Sequence, residues 1–417
     1  MKVICIHHRL AGLTSHHFNE AHGFAREFDR RGKKFVLMVN HHAPAHIVAE
    51  LNAHAVLDDP TFRMEWSFEE RSRRFVDMLH RNVDRRVRAG DCVLITISTQ
   101  LEAHALTRWL QELPGRKKPW IVILFLSDRW NRSGRDEYER QIAEFRTLNA
   151  AIASLTPEDA RKMLFFAVTD LLAEELSGLL GTRVDYAPMP LPYVDPQLFP
   201  TAKRELDLPR VAILGGTRRE KGSYLIPEIV RACRSHVQVE FVVHLTNNTL
   251  TAEELEKLER LTGEPDVILI RQPMTLPEFY ATLKSADIAL FPYEVIPYRK
   301  RTSGVFGESV AFGKPVVATP GTWLAEQIEA GRAAGVISED LEPDSIARAV
   351  ARCVAELEPL TRSAQALSPE WRRTISLSAF VDLIETQIAL RSQNEHPTRR
   401  WWWPRLPLRR KSRERDR

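Results

Sequence analysis

Short apolar runs alternate along the chain with longer stretches in which apolar residues recur every three or four positions. In the first half the apolar runs are residues 2–6, 34–39, 92–97, 120–126 and 163–168. Helix-like periodicity occupies residues 16–31, 67–88, 99–112, 134–155 and 169–180. Such apolar runs are typical of strands covered by helices on both faces, so the alternation predicts parallel β–α units.

A second alternating series begins after a proline-rich segment. Residues 187–200 contain five prolines, which disfavour both strand and helix and indicate an ordered linker or a domain boundary. The later apolar runs are residues 210–216, 237–245, 266–270, 287–292, 314–319 and 334–337. The chain of 417 residues also exceeds the size that one hydrophobic core supports. We therefore predict two Rossmann-like halves with roughly five or six strands each.

Two further segments follow the second half. We place the domains at residues 1–195 and 206–365, a last helix at residues 370–393 and a tail at residues 396–417. No strand follows the last helix, so its apolar stripe must pack on surface that already exists.

Charge is distributed unevenly. Of the formal net charge of +4, the tail alone carries a surplus of seven, which leaves the rest of the chain at −3. A nucleic-acid-binding body would carry a basic face of its own, so we expect no nucleic acid partner. No apolar stretch approaches the ~18 residues of a membrane span, the N-terminus lacks a signal-peptide core, and four widely spaced cysteines indicate buried thiols in a reducing compartment. These features favour a cytoplasmic protein.

The loop after the first strand of the second half could bind an anion. Gly215 and Gly216 end the apolar run and allow tight backbone geometry, and Arg218 and Lys221 follow them. A helix is expected near Gly222. Free N–H groups at a helix start, together with fixed cations, suit a phosphate or diphosphate. A solvated basic turn is the alternative.

A second loop repeats this arrangement. Thr302, Ser303 and Gly304 precede a helical stretch, whose first N–H groups could hold phosphate oxygens. Glu308 would lie about one turn into that helix, where a carboxylate can accept hydrogen bonds from a ribose diol. By itself Glu308 could equally be an ordinary capping or surface glutamate.

Together the two loops resemble the donor-binding half of retaining family-4 glycosyltransferases (glycosyl transferases group 1), which have the GT-B fold. The resemblance is carried by G-x-x-R-x-x-K-G at residues 215–222 and by S-G-x-x-x-E-x-x-x-x-G-K-P-V-V at residues 303–317, and it covers residues 206–360. It implies that Arg218 and Lys221 stabilise the donor diphosphate, as the catalytic residues, and that Glu308 grips the ribose. The donor-binding set implied in this way is Gly215, Gly216, Arg218, Lys221, Ser303, Gly304, Val305 and Glu308.

The resemblance also implies an architecture and an activity. Two Rossmann-like domains would face a cleft, and the last helix would cross back to the N-terminal domain. The enzyme would move a sugar from a nucleotide sugar, used as co-substrate without another cofactor, to a glycan or lipid-linked saccharide, as in polysaccharide biosynthesis. Lys300 stands where the commonest family pattern has a second glutamate that contacts the donor sugar. A non-catalytic nucleotide-sugar-binding protein and a GT-B epimerase or hydrolase therefore stay open as alternatives.

The acceptor side is less sharply marked. The candidate residues are Gly12 and His16 in the loop that follows the first strand, His104 several residues after the strand at 92–97, and Asp128 just after the strand at 120–126. His104 could equally be a surface histidine of a helix, and Asp128 could be merely a helix-start aspartate. The pairs His7–His8 and His41–His42 would lie on the same sheet edge, but no carboxylate or cysteine has a matching spacing, so we expect no metal site. The chain also contains no D-x-D motif, P-loop or G-x-G-x-x-G, which favours charge stabilisation without a metal ion.

The tail combines tryptophan with basic residues. Trp401, Trp402 and Trp403 lie between Arg400 and Arg405. Tryptophan favours the membrane–water interface, and basic residues are attracted to anionic lipid. We expect residues 399–413 to be an irregular anchor that makes the protein peripheral on the cytoplasmic face of a membrane; a solvated tail with its tryptophans packed on the protein is the alternative.

Overall fold

A computed structural model describes residues 1–10, 16–60, 63, 65–127, 135–193, 195–204, 206–246 and 249–393, without the side chains of residues 16 and 17. The strands are β1 (Val3–His7), β2 (Phe35–Asn40), β3 (His54–Leu57), β4 (Cys92–Ile95), β5 (Trp120–Phe125), β6 (Met163–Ala167), β7 (Val184–Tyr186), β8 (Arg210–Ile213), β9 (Glu240–His244), β10 (Val267–Ile270), β11 (Ile288–Phe291), β12 (Val316–Ala318) and β13 (Gly335–Ile337).

The helices complete the alternation. They are α1 (His16–Arg30), α2 (Ala45–Glu50), α3 (Phe68–Asn82), α4 (Gln100–Glu112), α5 (Arg135–Ala153), α6 (Pro157–Lys162), α7 (Asp170–Leu180), α8 (Ile226–Cys233), α9 (Ala252–Glu259), α10 (Leu276–Ser285), α11 (Val295–Tyr298), α12 (Gly304–Ala311), α13 (Trp323–Glu329), α14 (Pro343–Ala355), α15 (Leu357–Thr374) and α16 (Leu377–Ser392).

The strands form two parallel sheets, which confirms the predicted pair of Rossmann-like domains. The first sheet has the order β3-β2-β1-β4-β5-β6-β7 and the second has the order β10-β9-β8-β11-β12-β13. In each sheet the order reverses once, between β1 and β4 and between β8 and β11. Ligands of open parallel sheets bind beyond the carboxyl ends of the strands at such reversals, and this locates the two places where a site is expected.

Burial explains why these runs become strands. All six residues of β5 are buried, because helices cover both faces of a parallel sheet. Alternate side chains of β9 enter different clusters: Phe241 and Val243 pack towards α8 and α14, whereas Val242 packs with Leu214 and residues of α10. The face that carries Val242 is therefore shared with the helices that approach the β8–β11 reversal.

The structure differs from the sequence predictions at the C-terminal end. The prediction of a single helix over residues 370–393 is wrong, because α15 ends at Thr374 and Ser376 caps a new helix, α16. Pro369 lies inside α15. The two helices have different partners: Trp371 of α15 packs in the C-terminal domain, whereas Phe380 of α16 packs in the core of the N-terminal domain.

Ion pairs attach α16 to the N-terminal domain. Arg31 contacts Asp382 at 2.7 Å, and Lys33 contacts Glu385 at 2.5 Å. The proline-rich segment packs beside the junction of α15 and α16, where Leu191 accepts a hydrogen bond from the Leu377 N–H at 3.0 Å. This segment therefore contacts elements of both domains.

Three further observations concern the helices, the cysteines and the tail. Among the described residues, no helix is long and apolar enough to cross a membrane. The four cysteines are free and buried, as the sequence predicted. The tail at residues 396–417 lies outside the described residues.

Candidate functional site

The loop after β8 has a tightly constrained backbone. Gly215 and Gly222 have φ angles of +96° and +67°, in the region that side chains other than glycine rarely adopt. A Cβ atom on Gly222 would lie only 1.8 Å from the carbonyl oxygen of Pro292. Glu294 donates its backbone N–H to the carbonyl of Glu220 at 3.0 Å. The β8 loop is therefore held directly against the loop that follows β11.

The predicted helix at Gly222 does not begin there. Short 3₁₀ turns occupy Arg219–Lys221 and Ser223–Leu225, and α8 begins only at Ile226. The start of α12 also lies against the β8 loop. A Cβ atom on Gly215 would lie 2.9 Å from Lys221 Nζ and 3.1 Å from Val305 Cγ2, so the lysine ammonium, the glycine backbone and the first turn of α12 meet at one point.

Helix α12 begins at this point with its N-cap satisfied. The Ser303 hydroxyl accepts a hydrogen bond from the Phe306 N–H at 3.3 Å and lies 3.4 Å from the Tyr293 hydroxyl. The N–H groups of the first turn of a helix have no partner within the helix. The start of α12 at Gly304 and Val305 therefore offers backbone donors next to the Lys221 ammonium.

Three cations converge on the β8–β11 reversal. Burial, together with Arg218 and Arg301, lowers the pKa of Lys221 from its usual range to about 7. Glu220 is shared between the two arginines, at 3.8 Å from Arg218 and 3.7 Å from Arg301. One carboxylate between two guanidiniums and an ammonium leaves excess positive charge, which an anionic ligand would neutralise.

Glu308 lies on the same helix, one turn further along. Its Oε1 accepts a hydrogen bond from the Tyr280 hydroxyl at 3.3 Å. Burial raises the pKa of Glu308 to about 7, against the opposing effects of that hydrogen bond and of Lys221. A carboxylate with so little solvation is suited to accept further hydrogen bonds from a bound ligand.

The structure thus brings together the sequence-predicted donor residues, and it adds others. Arg301 was not predicted, although the run of three basic residues at 299–301 could have indicated it. Tyr280 was not predicted either, because it reaches Glu308 from α10, a helix elsewhere in the sequence. Asp287 has a structural role: it pairs with Arg204 at 2.7 Å and accepts a hydrogen bond from the Arg210 N–H at 2.8 Å.

Lys300 contacts the opposite domain. Its Nζ lies 3.0 Å from Oε2 of Glu175 on α7. The Thr169 hydroxyl, after β6, donates to the Lys300 carbonyl at 3.0 Å. The carboxyl edges of the two sheets therefore face each other, and the loop that carries Arg301 and Ser303 is attached to the N-terminal domain.

Little in the structure supports the residues predicted to contact the sugar acceptor. His104 is 3% exposed, with its Nδ1 2.7 Å from the Ser72 hydroxyl, and burial lowers its pKa. It is therefore enclosed between α3 and α4 and not accessible to an acceptor. Gly12 and Asp128 lie outside the described residues, and His16 begins α1 with its side chain not described.

The histidines after β1 and β2 do lie on the carboxyl edge, but in different settings. His8 is buried and its Nε2 contacts Glu102 at 3.1 Å, while Arg9 contacts the same carboxylate at 2.6 Å. His41 lies nearer the surface, 3.1 Å from Asp58. Within the described ranges, no group of three or more potential ligands could hold a metal ion.

Residues 209–356 match the family model described as glycosyl transferases group 1. This part of the chain is similar to that family. It contains both candidate donor loops, so the family resemblance noted in the sequence is confirmed. No curated protein matches the sequence.

The whole chain is similar in fold to solved GT-B proteins. Sucrose-phosphate synthase from Thermosynechococcus elongatus aligns with a TM-score of 0.63 at 14% identity, covering 93% of this chain and 99% of that one. HepE from Anabaena in complex with UDP aligns with a TM-score of 0.63 at 12% identity, covering 93% of this chain and 100% of that one. An Escherichia coli structure described as trehalose-6-phosphate bound with UDP-2-fluoro glucose aligns with a TM-score of 0.65 at 10% identity. The alignment covers 93% of this chain and 99% of that one. This similarity confirms the GT-B fold, and the match of residues 209–356 to the family model confirms the expectation of a glycosyl-transfer enzyme.

Proposed function

We propose that this chain transfers a sugar from a nucleotide-sugar donor to a glycan or lipid-linked saccharide, with retention of configuration and without a metal ion. The observation that carries the proposal is the convergence of Arg218, Lys221 and Arg301 on the start of α12 at the β8–β11 reversal. Solved proteins of this fold include some with UDP or a UDP-sugar bound, which supports a nucleotide sugar as the ligand.

The chemistry follows from where charge develops. When the bond from the anomeric carbon to the diphosphate oxygen breaks, the electron pair leaves with the diphosphate and the sugar becomes oxocarbenium-like. Lys221 and Arg218 then stabilise the developing charge more strongly than they stabilise the intact donor, which lowers the barrier. The oxygen of an acceptor hydroxyl forms the new bond to the anomeric carbon, and its proton passes to the departing diphosphate or to water. We assign no side chain as nucleophile or base.

Glu308 has a separate role in this proposal. As an acceptor held by Tyr280 one turn into α12, it would bind the ribose hydroxyls while the phosphates lie at the start of the same helix. Arg218 and Lys221 would take the place that a metal ion has in metal-dependent transferases. No cofactor besides the nucleotide sugar is then required.

Titration of nucleoside diphosphates in the presence of a chelator tests the site. We expect Glu308→Ala, Lys221→Ala and Arg218→Ala each to weaken binding, with about 1.5–3 kcal/mol for the hydrogen bonds of a charged group. Arg260→Ala is the matched control, because it removes an exposed cation whose described ion pair is with Glu256. If all three site variants bind like the control, the assignment of the donor site is wrong.

One observation favours a second candidate, a non-catalytic nucleotide-sugar-binding protein. Lys300 occupies the position of the commoner family glutamate and pairs with Glu175 of the other domain, so this position offers no carboxylate to the donor sugar. Tight donor binding without turnover on any glycan extract would favour this candidate. Transfer of the sugar to an acceptor would exclude it.

The sequence of the tail motivates the rest of the proposal. Residues 399–413 contain three tryptophans, seven arginine and lysine residues and no acidic residue, and such a segment is attracted to anionic lipid. We propose a cytoplasmic protein that is peripheral on the cytoplasmic face of a membrane. A lipid-linked acceptor would lie at that surface.

A further inference from the structure

A buried histidine lies beside the β8 loop, and the described residues offer one of its ring nitrogens no hydrogen-bond partner. His244 ends β9 and is 9% exposed. Its Nε2 lies 3.2 Å from the carbonyl oxygen of Gln272, which follows β10. Its Nδ1 is buried and has no hydrogen-bond partner among the residues that the structure describes. A buried polar atom left in this way is costly unless a ligand satisfies it.

The environment determines which nitrogen carries the proton. Nε2 also lies 3.4 Å from the Thr246 hydroxyl, which can accept as well as donate. The carbonyl oxygen of Gln272 is the nearer partner and can only accept, so this contact requires hydrogen on Nε2. Burial, with the Lys221 charge nearby, lowers the pKa of His244, so the ring is neutral at physiological pH. Nδ1 then presents a lone pair and can accept a hydrogen bond, but it cannot donate one.

The imidazole points to the face of the sheet on which the donor site lies. Successive side chains of a strand alternate between faces, so His244 shares the face of Val242, which packs with Leu214 and α10. The β8 loop is fixed to this strand end, because the Thr217 hydroxyl donates to the His244 carbonyl at 3.2 Å. His244 therefore belongs to the surroundings of the β8 loop.

The position along the sheet indicates which part of the ligand lies here. In the proposed function, which this inference deepens, the diphosphate lies between the ends of β8 and β11. Glu308 accepts a hydrogen bond from Tyr280 of α10, the helix that follows β10. A nucleoside held by Glu308 would therefore extend from the end of β8 towards β10, across the end of β9, over two strand spacings of ~4.8 Å each.

We propose that Nδ1 of His244 accepts a hydrogen bond from an N–H on the edge of the donor nucleobase and thereby sets which base is preferred. Every common base presents an N–H or NH₂ group on an edge, but at different places. A fixed acceptor consequently discriminates between bases. The diphosphate has only acceptor oxygens at neutral pH, so it cannot form a hydrogen bond with this nitrogen.

Two isosteric substitutions separate this role from a structural one. His244→Asn keeps a polar atom at the position of Nδ1 and loses Nε2, whereas His244→Gln keeps a donor for the Gln272 carbonyl and loses Nδ1. The full-length variants are titrated with UDP, dTDP, CDP, ADP, GDP and inorganic pyrophosphate. We expect His244→Gln to bind the preferred nucleotide about tenfold more weakly and with less selectivity between bases. His244→Asn should keep the selectivity, and pyrophosphate affinity should be unchanged in both.

The outcomes distinguish this inference from the proposed function. If the parent prefers one nucleotide and His244→Gln retains that preference undiminished, His244 does not read the base, although the donor site stands. An equal loss of affinity for pyrophosphate and all nucleotides would also overturn the inference, because it would indicate a disturbed β8 loop. If the parent binds neither pyrophosphate nor any nucleotide, the proposed function itself fails.

Discussion

The contact between Gly222 and Pro292 gives the sharpest structural prediction. In Gly222→Ala the new methyl group would lie 1.8 Å from the Pro292 carbonyl oxygen at a φ of +67°. A left-handed alanine costs about 1–2 kcal/mol by itself. Displacing a packed backbone carbonyl adds about 1–3 kcal/mol. The sum is a large part of the ~5–15 kcal/mol that stabilises a typical protein.

Gly331→Ala is the matched control. Gly331 has the same φ of +67°, and a Cβ atom there would meet nothing within 4 Å, so only the backbone cost remains. We expect urea unfolding to give a loss of about 1–2 kcal/mol for the control and a clearly larger loss for Gly222→Ala. The same titrations should give weaker nucleotide binding for Gly222→Ala alone, because the β8 loop must move. Equal unfolding free energies and equal affinities in the two variants would refute the proposed contact between the loops.

Three further predictions concern charge and the tail. Diphosphate binds the protonated form of Lys221, whose pKa in the free protein is about 7, so the affinity for nucleoside diphosphates should fall as the pH rises through 7. The difference in this affinity between the parent and Lys221→Met should narrow by pH 9; an unchanged difference would contradict the role of the ammonium. Lys300→Glu should lower the unfolding free energy by about 1 kcal/mol by facing Glu175, and Glu175→Lys should restore it in the double variant; independent effects would show that the pair is not coupled. Truncation after Gln393 should leave urea unfolding unchanged and abolish flotation with anionic liposomes, whereas a full-length chain that ignores such liposomes would disprove the anchor.

The sequence predicted the two parallel sheets because most residues of their central strands are apolar. All six apolar runs of the second half became strands, β8 to β13. Strands β3 and β7 were missed, since both lie at sheet edges and mix polar with apolar residues, as in HAVL and VDY. The break between α15 and α16 was missed because the apolar stripe continues across it, and only Ser376 marks the new start.

Sequence reasoning could predict only those residues of the candidate site that lie together in a local motif. Arg218, Lys221 and Glu308 belong to two local motifs, and the structure brings these together at one reversal. Arg301, Tyr280 and His244 reach the same region from separate elements, and their positions depend on how strands and helices pack. The Lys300–Glu175 pair joins two domains and could not be inferred from local sequence.

Turnover of nucleotide sugars in excess EDTA tests the central claim most directly. Nucleotide sugars labelled with ¹³C at the anomeric carbon are incubated with the full-length protein, with and without a glycan or lipid-linked saccharide extract, and the anomeric signals are followed by NMR. We predict that one donor is consumed and a new glycoside with the same anomeric configuration appears only when the extract is present, and that Lys221→Met abolishes both. Free sugar or an epimer formed without the extract, or activity that appears only when manganese or magnesium is restored, would contradict the account.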